Sequence, residues 1–106
     1  MEWIETPNLL GEKSKHVQKI LSFENTNVVN IQLQIGETIP EYDSAADTLI
    51  VVWSGKVSFK VEGKVVEGTS ENILHIKSNE RHRLTALEPS DLVVLHIMAS
   101  KKLTHC

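Results

Sequence analysis

The chain is poor in the features that most readily betray a function. Its one cysteine, Cys106, is the last of 106 residues. It has no partner for an intramolecular disulfide, so the fold owes nothing to oxidation, and the thiol reads as a terminal bystander because nothing fixes its surroundings. Basic charge is scarce as well: 11 Lys and Arg against 14 Asp and Glu leave a net charge of −3. A mildly acidic domain lacks the basic footprint that phosphate contacts require, which excludes nucleic acid as the expected partner. The opening MEWIETPN carries acids where a signal peptide needs bases and has no apolar h-region. No later apolar run approaches the length of a bilayer span, so the expectation is a cytoplasmic protein with no membrane partner.

Repeats, low-complexity runs and linkers are missing too, as are a nucleophile elbow, a phosphate-binding glycine loop and a helix-turn-helix. What is there is ordinary for a soluble globule, with 41% hydrophobic and 24% charged residues. The length suits one domain spanning 1–106, with residues 1–16 read as an N-terminal arm and 100–106 as a tail. The pair Lys101-Lys102 reads as solvated tail.

Period-two patterning dominates. In VVNIQLQI, Val29, Ile31, Leu33 and Ile35 alternate with Asn30, Gln32 and Gln34, predicting a half-buried strand that Gly36 ends. The run TLIVVWS, Thr48 to Ser54, is nearly continuous and β-branched, which predicts a strand covered on both faces. A hairpin follows, KVSFKVEGKVVEG, turning at Glu62-Gly63. VQKILSF, NILHI, RLTAL and DLVVLHIMA supply further strands, and no stretch shows a convincing helical period. Many short strands at regular spacing predict an all-β sandwich or barrel.

One stretch narrows this further. GETIPEYDSAADTLIVVWSG begins and ends on Gly36 and Gly55, contains Pro40 and leads into GKVSFKV. In this the chain resembles the cupins, whose first motif runs Gly, five residues, His, one, His, three or four, Glu, six, Gly. Laid on without a gap, the pattern keeps both glycines but puts Tyr42 and Ser44 at the histidines and Thr48 at the glutamate. The family's second motif, Gly-Asp, four residues, Pro, four residues, His, falls on Glu71 to His82. Only His82 survives from it, with Asn79 at a frequent glycine, where it tolerates the same positive φ. The resemblance covers about Val28 to Met98 and implies a cupin-like double-stranded β-helix, a jelly-roll barrel, that commonly pairs into a homodimer.

The candidate ligand pocket that the resemblance implies is Tyr42, Ser44, Thr48 and His82. A catalytic divalent site needs about three imidazole or carboxylate ligands and an open position, and only His82 qualifies. An unperturbed phenol with pKa near 10 stays protonated, and hydroxyls are poor ligands. The reading is therefore a cupin-like barrel that has lost most of its metal ligands, carries no cofactor, and serves as a non-catalytic small-molecule-binding or structural module. The rival is a metal-dependent cupin enzyme of the dioxygenase or isomerase type, with Zn, Ni, Fe or Mn held by His82 together with His75, His96 or Tyr42. A third is a ligand-sensing module acting with a separate partner. Strand parity leaves open whether His75 and His96 face the barrel interior.

Other polar residues read as structural. Glu41, Asp43 and Asp47 alternate with the pocket positions and are expected to face water. Arg81 and Arg83 should point away from the side that His82 enters. Trp53 and Trp3 are expected to pack, while His16 and His105 lie in the arms.

Overall fold

The computed structural model describes residues 1–42 and 44–98, with residues 41 and 42 described through their backbone. The expectations for Asp43, Lys101-Lys102, His105, Cys106 and the side chains of Glu41 and Tyr42 lie outside the described residues. Nine strands follow in order: β1 (Lys15–Phe23), β2 (Thr26–Leu33), β3 (Thr38–Tyr42), β4 (Asp47–Ser54), β5 (Val57–Val61), β6 (Lys64–Gly68), β7 (Ile73–Ile76), β8 (His82–Ala86) and β9 (Ser90–Ile97). They form a five-stranded sheet in the order β1-β2-β9-β4-β7 and a four-stranded sheet in the order β3-β8-β5-β6, all pairs antiparallel. Among the described residues there is no helix, hence none long and apolar enough to cross a membrane.

Register arranges the inner faces into transverse rows, because a strand's side chains repeat every second residue and paired residues point the same way. In the larger sheet, Ile31, Leu92 and Val52 form one row, and Val29, Val94, Ile50 and Leu74 the next. In the smaller sheet, Ala86, Val57 and Gly68 form one row, and Ile39, Leu84, Phe59 and Val66 another. These residues interleave as the core, in which Leu33, Val57 and Leu92 are fully buried. Burying each such side chain stabilises the fold by about 1.5–3 kcal/mol. The turn at Glu62-Gly63 has φ values of 49° and 84°, the positive pair a two-residue hairpin needs.

Four expectations need correcting. First, residues 38–42, read as loop, form β3, because Ile39 and Tyr42 pair with Leu84 and His82 of β8. Their own pattern is too short to announce a strand. Second, β2 is buried on both faces: Asn30 and Gln32 are 2% and 0% exposed. The arm is the cause. Gln32 accepts a hydrogen bond from the Leu9 amide at 2.8 Å and donates to the Pro7 carbonyl at 2.9 Å. Gln34 donates to the Leu10 carbonyl at 2.6 Å, so residues 7–10 lie over the outer face, and the arm ends where β1 takes up Lys15 and His16. Ile35, beyond the strand, is exposed.

Third, β4 is covered on one face only. Thr48, Ile50 and Val52 are buried, whereas Leu49 and Val51 are half-buried and Trp53 is 69% exposed on the outside. Continuous apolar runs do not report which face is covered. Fourth, neither tryptophan packs, since Trp3 is also exposed.

Candidate functional site at the polar end of the barrel

One inner row is unlike the others. Asn27 of β2, His96 of β9 and Thr48 of β4 are paired side by side across the larger sheet, and Ile76 of β7 ends the row. In the smaller sheet Tyr42, His82 and Val61 are paired across β3, β8 and β5. The polar end of the barrel therefore follows from register alone: the residues that break the apolar pattern fall opposite one another.

His82 is 2% exposed, and its Nδ1 lies 3.1 Å from the Glu80 carbonyl. A carbonyl only accepts, so Nδ1 is the donor in that contact. Thr48 is buried, and its Oγ1 lies 3.3 Å from Nδ1 of His96. Burial first, and the charge of His82 second, hold the His96 ring below the ordinary histidine range. Ser44 sits at the loop before β4. Its hydroxyl accepts from the Ala46 amide at 3.1 Å and its carbonyl from the Asn79 amide at 2.6 Å, binding that loop to the β7–β8 connection. Asn79 adopts a φ of 70°, as the glycine-tolerant position requires.

The structure thus brings Thr48, His82 and His96 to one end and places Tyr42 in register beside His82. It separates His75 from them. His75 pairs with Leu49 on the outer face of the larger sheet, where Nε2 is 3.8 Å from Oδ1 of Asp47, both half exposed to water. The three-imidazole set of His75, His82 and His96 is not assembled. Arg83 alternates outward from His82, as expected.

Sequence reasoning missed two things. Asn27 belongs to the polar row, and its only signal is the register opposite His96. Asn30, Gln32 and Asp91 form a buried polar cluster on the outer face: Asn30 donates to Oδ1 of Asp91 at 2.7 Å and to the Leu92 carbonyl at 3.0 Å. Burial raises the Asp91 carboxyl above its ordinary range, opposed by the Asn30 hydrogen bond and by the charge of His16.

No family model matches the chain, and no curated protein matches it in sequence. Solved structures do match in shape. An RmlC-like cupin family protein with a double-stranded β-helix fold from Methanocaldococcus jannaschii superposes with a TM-score of 0.81 at 20% identity, over 97% of this chain and 95% of that one. This chain has the cupin fold. KdgF from Halomonas sp. gives a TM-score of 0.75 at 13% identity, covering 96% of this chain and 91% of that one. The cupin domain of an XRE family transcriptional regulator from Enterobacter cloacae gives 0.72 at 14% identity, covering 83% and 100%. At such identities the likeness establishes a cupin barrel and nothing about its chemistry.

The donor set does not fit the metal of the cupin pattern. Thr48 offers a hydroxyl where the pattern has a carboxylate, and the Ser44 hydroxyl is engaged with its own loop. Among the described residues no three of His, Cys, Asp and Glu gather in a metal-binding arrangement. What the arrangement offers a guest is hydrogen bonding, through the Thr48 hydroxyl, imidazole rings and the Asn27 amide.

Proposed function

We propose that this cupin barrel is a non-catalytic, cytoplasmic module that binds a small polar molecule at its polar end, through Thr48, His82 and His96 with Tyr42 and Ser44 at the margin. The observation that carries the reading is the Thr48–His96 pair in the same inner row as Asn27, with His82 across the barrel. Buried donors and acceptors converging on an apolar interior suit orientation of a ligand. They supply neither the ligands of a Lewis acid nor an activated nucleophile held by a third group.

The same reading includes a second copy of the chain. The outer face of the larger sheet presents Trp53, Ile73, Phe23 and Ile97 around half-buried Leu49, Val51 and Leu95. Near β7, Asp47 and His75 lie side by side on it, Nε2 3.8 Å from Oδ1. A flat apolar face without a row of one sign can meet itself across a two-fold axis without like-charge repulsion.

The deciding experiment is native mass spectrometry with elemental analysis of untagged protein. A co-purified organic mass that is lost in His82→Ala supports the proposal. Stoichiometric Zn, Ni, Fe or Mn lost in the same variant overturns it in favour of a metal enzyme.

A further inference from the structure

A cavity of about 210 Å³ lies away from the polar end. Its floor is Ile50, Val52 and Phe59, all buried in the core, and its walls include Leu74, Val66 and Gly68. Thr48, Ile50 and Val52 follow one another on the inner face of β4, so the cavity begins one to two inner residues, about 7–14 Å, below the polar row. It opens between β6 and β7, the last strands of their respective sheets, which share no ladder.

The opening has an identifiable cause. Gly68 is the one buried residue of β6, and a Cβ there would stand 2.8 Å from the ring edge of Phe59. The wall has no side chain because Phe59 occupies the place where one would go. Val66, inward in register opposite Phe59, remains 48% exposed because no strand pairs with β6 on that side.

We propose that this side cavity is a second binding site, for a small uncharged organic molecule with a compact apolar body and one hydroxyl or carbonyl oxygen. The apolar floor sets the body: cavities of about 150 Å³ with aliphatic and aromatic walls accept a single ring. Asn72 at the lining sets the oxygen. Its Oδ1 already accepts from the Thr69 amide at 3.0 Å and the Thr69 hydroxyl at 3.2 Å, so its contribution to a guest is the Nδ2 donor. Glu67 beside it, with Lys56 no nearer than 3.9 Å, disfavours an anion. Neither group takes part in the polar-end site.

The test is a titration of the full chain with cyclohexanol, followed by methyl and imidazole NMR signals, with hexanoate as the charged comparison. The expected result is a saturable shift of the Val52, Val66 and Leu74 methyls with the His82 and His96 rings unmoved, and binding of hexanoate weaker by about tenfold. Val66→Phe, at a half-exposed position that tolerates bulk, should weaken cyclohexanol by about tenfold or more by filling the cavity. Gly68→Ala should do likewise by driving the Phe59 ring into it. Shifts that do not saturate, that scatter over Trp53 and the outer face, or that survive in both variants overturn the site. Saturable shifts of the imidazoles alone also overturn it, while leaving the polar-end proposal standing.

Discussion

The hydroxyl of Thr48 lies 3.3 Å from Nδ1 of His96, joining β4 to β9 at the position where the cupin pattern would carry a glutamate. Burial of that ring ties its protonation state to the fold. Because burial and His82 lower the folded-state pKa of His96, the unfolded chain takes up the proton first as pH falls. The stability contribution is present above the unfolded value near 6.5 and is lost as pH falls through it toward the folded value. Urea midpoints should therefore drop between pH 7.5 and 5.5, and the drop should shrink in His96→Gln, which keeps a polar partner for Thr48 without titrating. Asp91, whose pKa is raised, acts with the opposite sign, adding stability as pH falls through its folded-state pKa toward 3.8. An undiminished drop in His96→Gln would assign the sensitivity elsewhere.

Restoring the cupin pattern with Tyr42→His, Ser44→His and Thr48→Glu beside His82 should create a metal site. Without metal the variant should be less stable than the parent, since it places a carboxylate and imidazoles in a confined interior. With Ni or Zn at about a hundred times its Kd, binding to the folded state should return about 2.7 kcal/mol. Thermal melts with metal and with chelator measure both effects. A folded variant whose midpoint ignores metal would show that the three positions do not converge on His82.

The motif glycines should differ sharply in what they tolerate. Gly36 and Gly55 have φ values of 87° and 92°, so alanine at either costs about 1–2 kcal/mol for the left-handed backbone. Around Gly36 a Cβ would meet nothing within 4 Å. At Gly55 it would collide with the Pro89 carbonyl and the Ser90 hydroxyl and stand 2.8 Å from Ser90 Cα, and backbone cannot step aside. Gly55→Ala should thus lose about 1–3 kcal/mol more than Gly36→Ala. Equal losses in denaturant titrations would remove the steric argument.

The outer sheet face predicts the assembly state. Light scattering at micromolar concentration should give twice 11.9 kDa, and Trp53→Glu with Ile73→Glu should give the monomer with the β-sheet circular dichroism intact. A parent mass near 11.9 kDa would refute the dimer.

The chain's own pattern determined most of the strands. Alternation at Val57, Phe59 and Val61, and the Glu62-Gly63 turn, are local facts of side-chain period and backbone torsion, and the structure keeps them. The spacing from Gly36 to Gly55 carried the barrel type for the same reason, since both glycines hold positive φ. Tertiary structure alone decided the rest. A period of two names two faces without saying which is covered, so only the packed sheets put His96 inside and His75 outside. Alternation treats a polar residue as a wet one, so only the arm over β2 could bury Gln32 at 0% exposure. A cavity is a place where side chains fail to meet. The one between β6 and β7 exists because two strands consecutive in the chain end different sheets and share no ladder, a relation that neither strand's own pattern encodes.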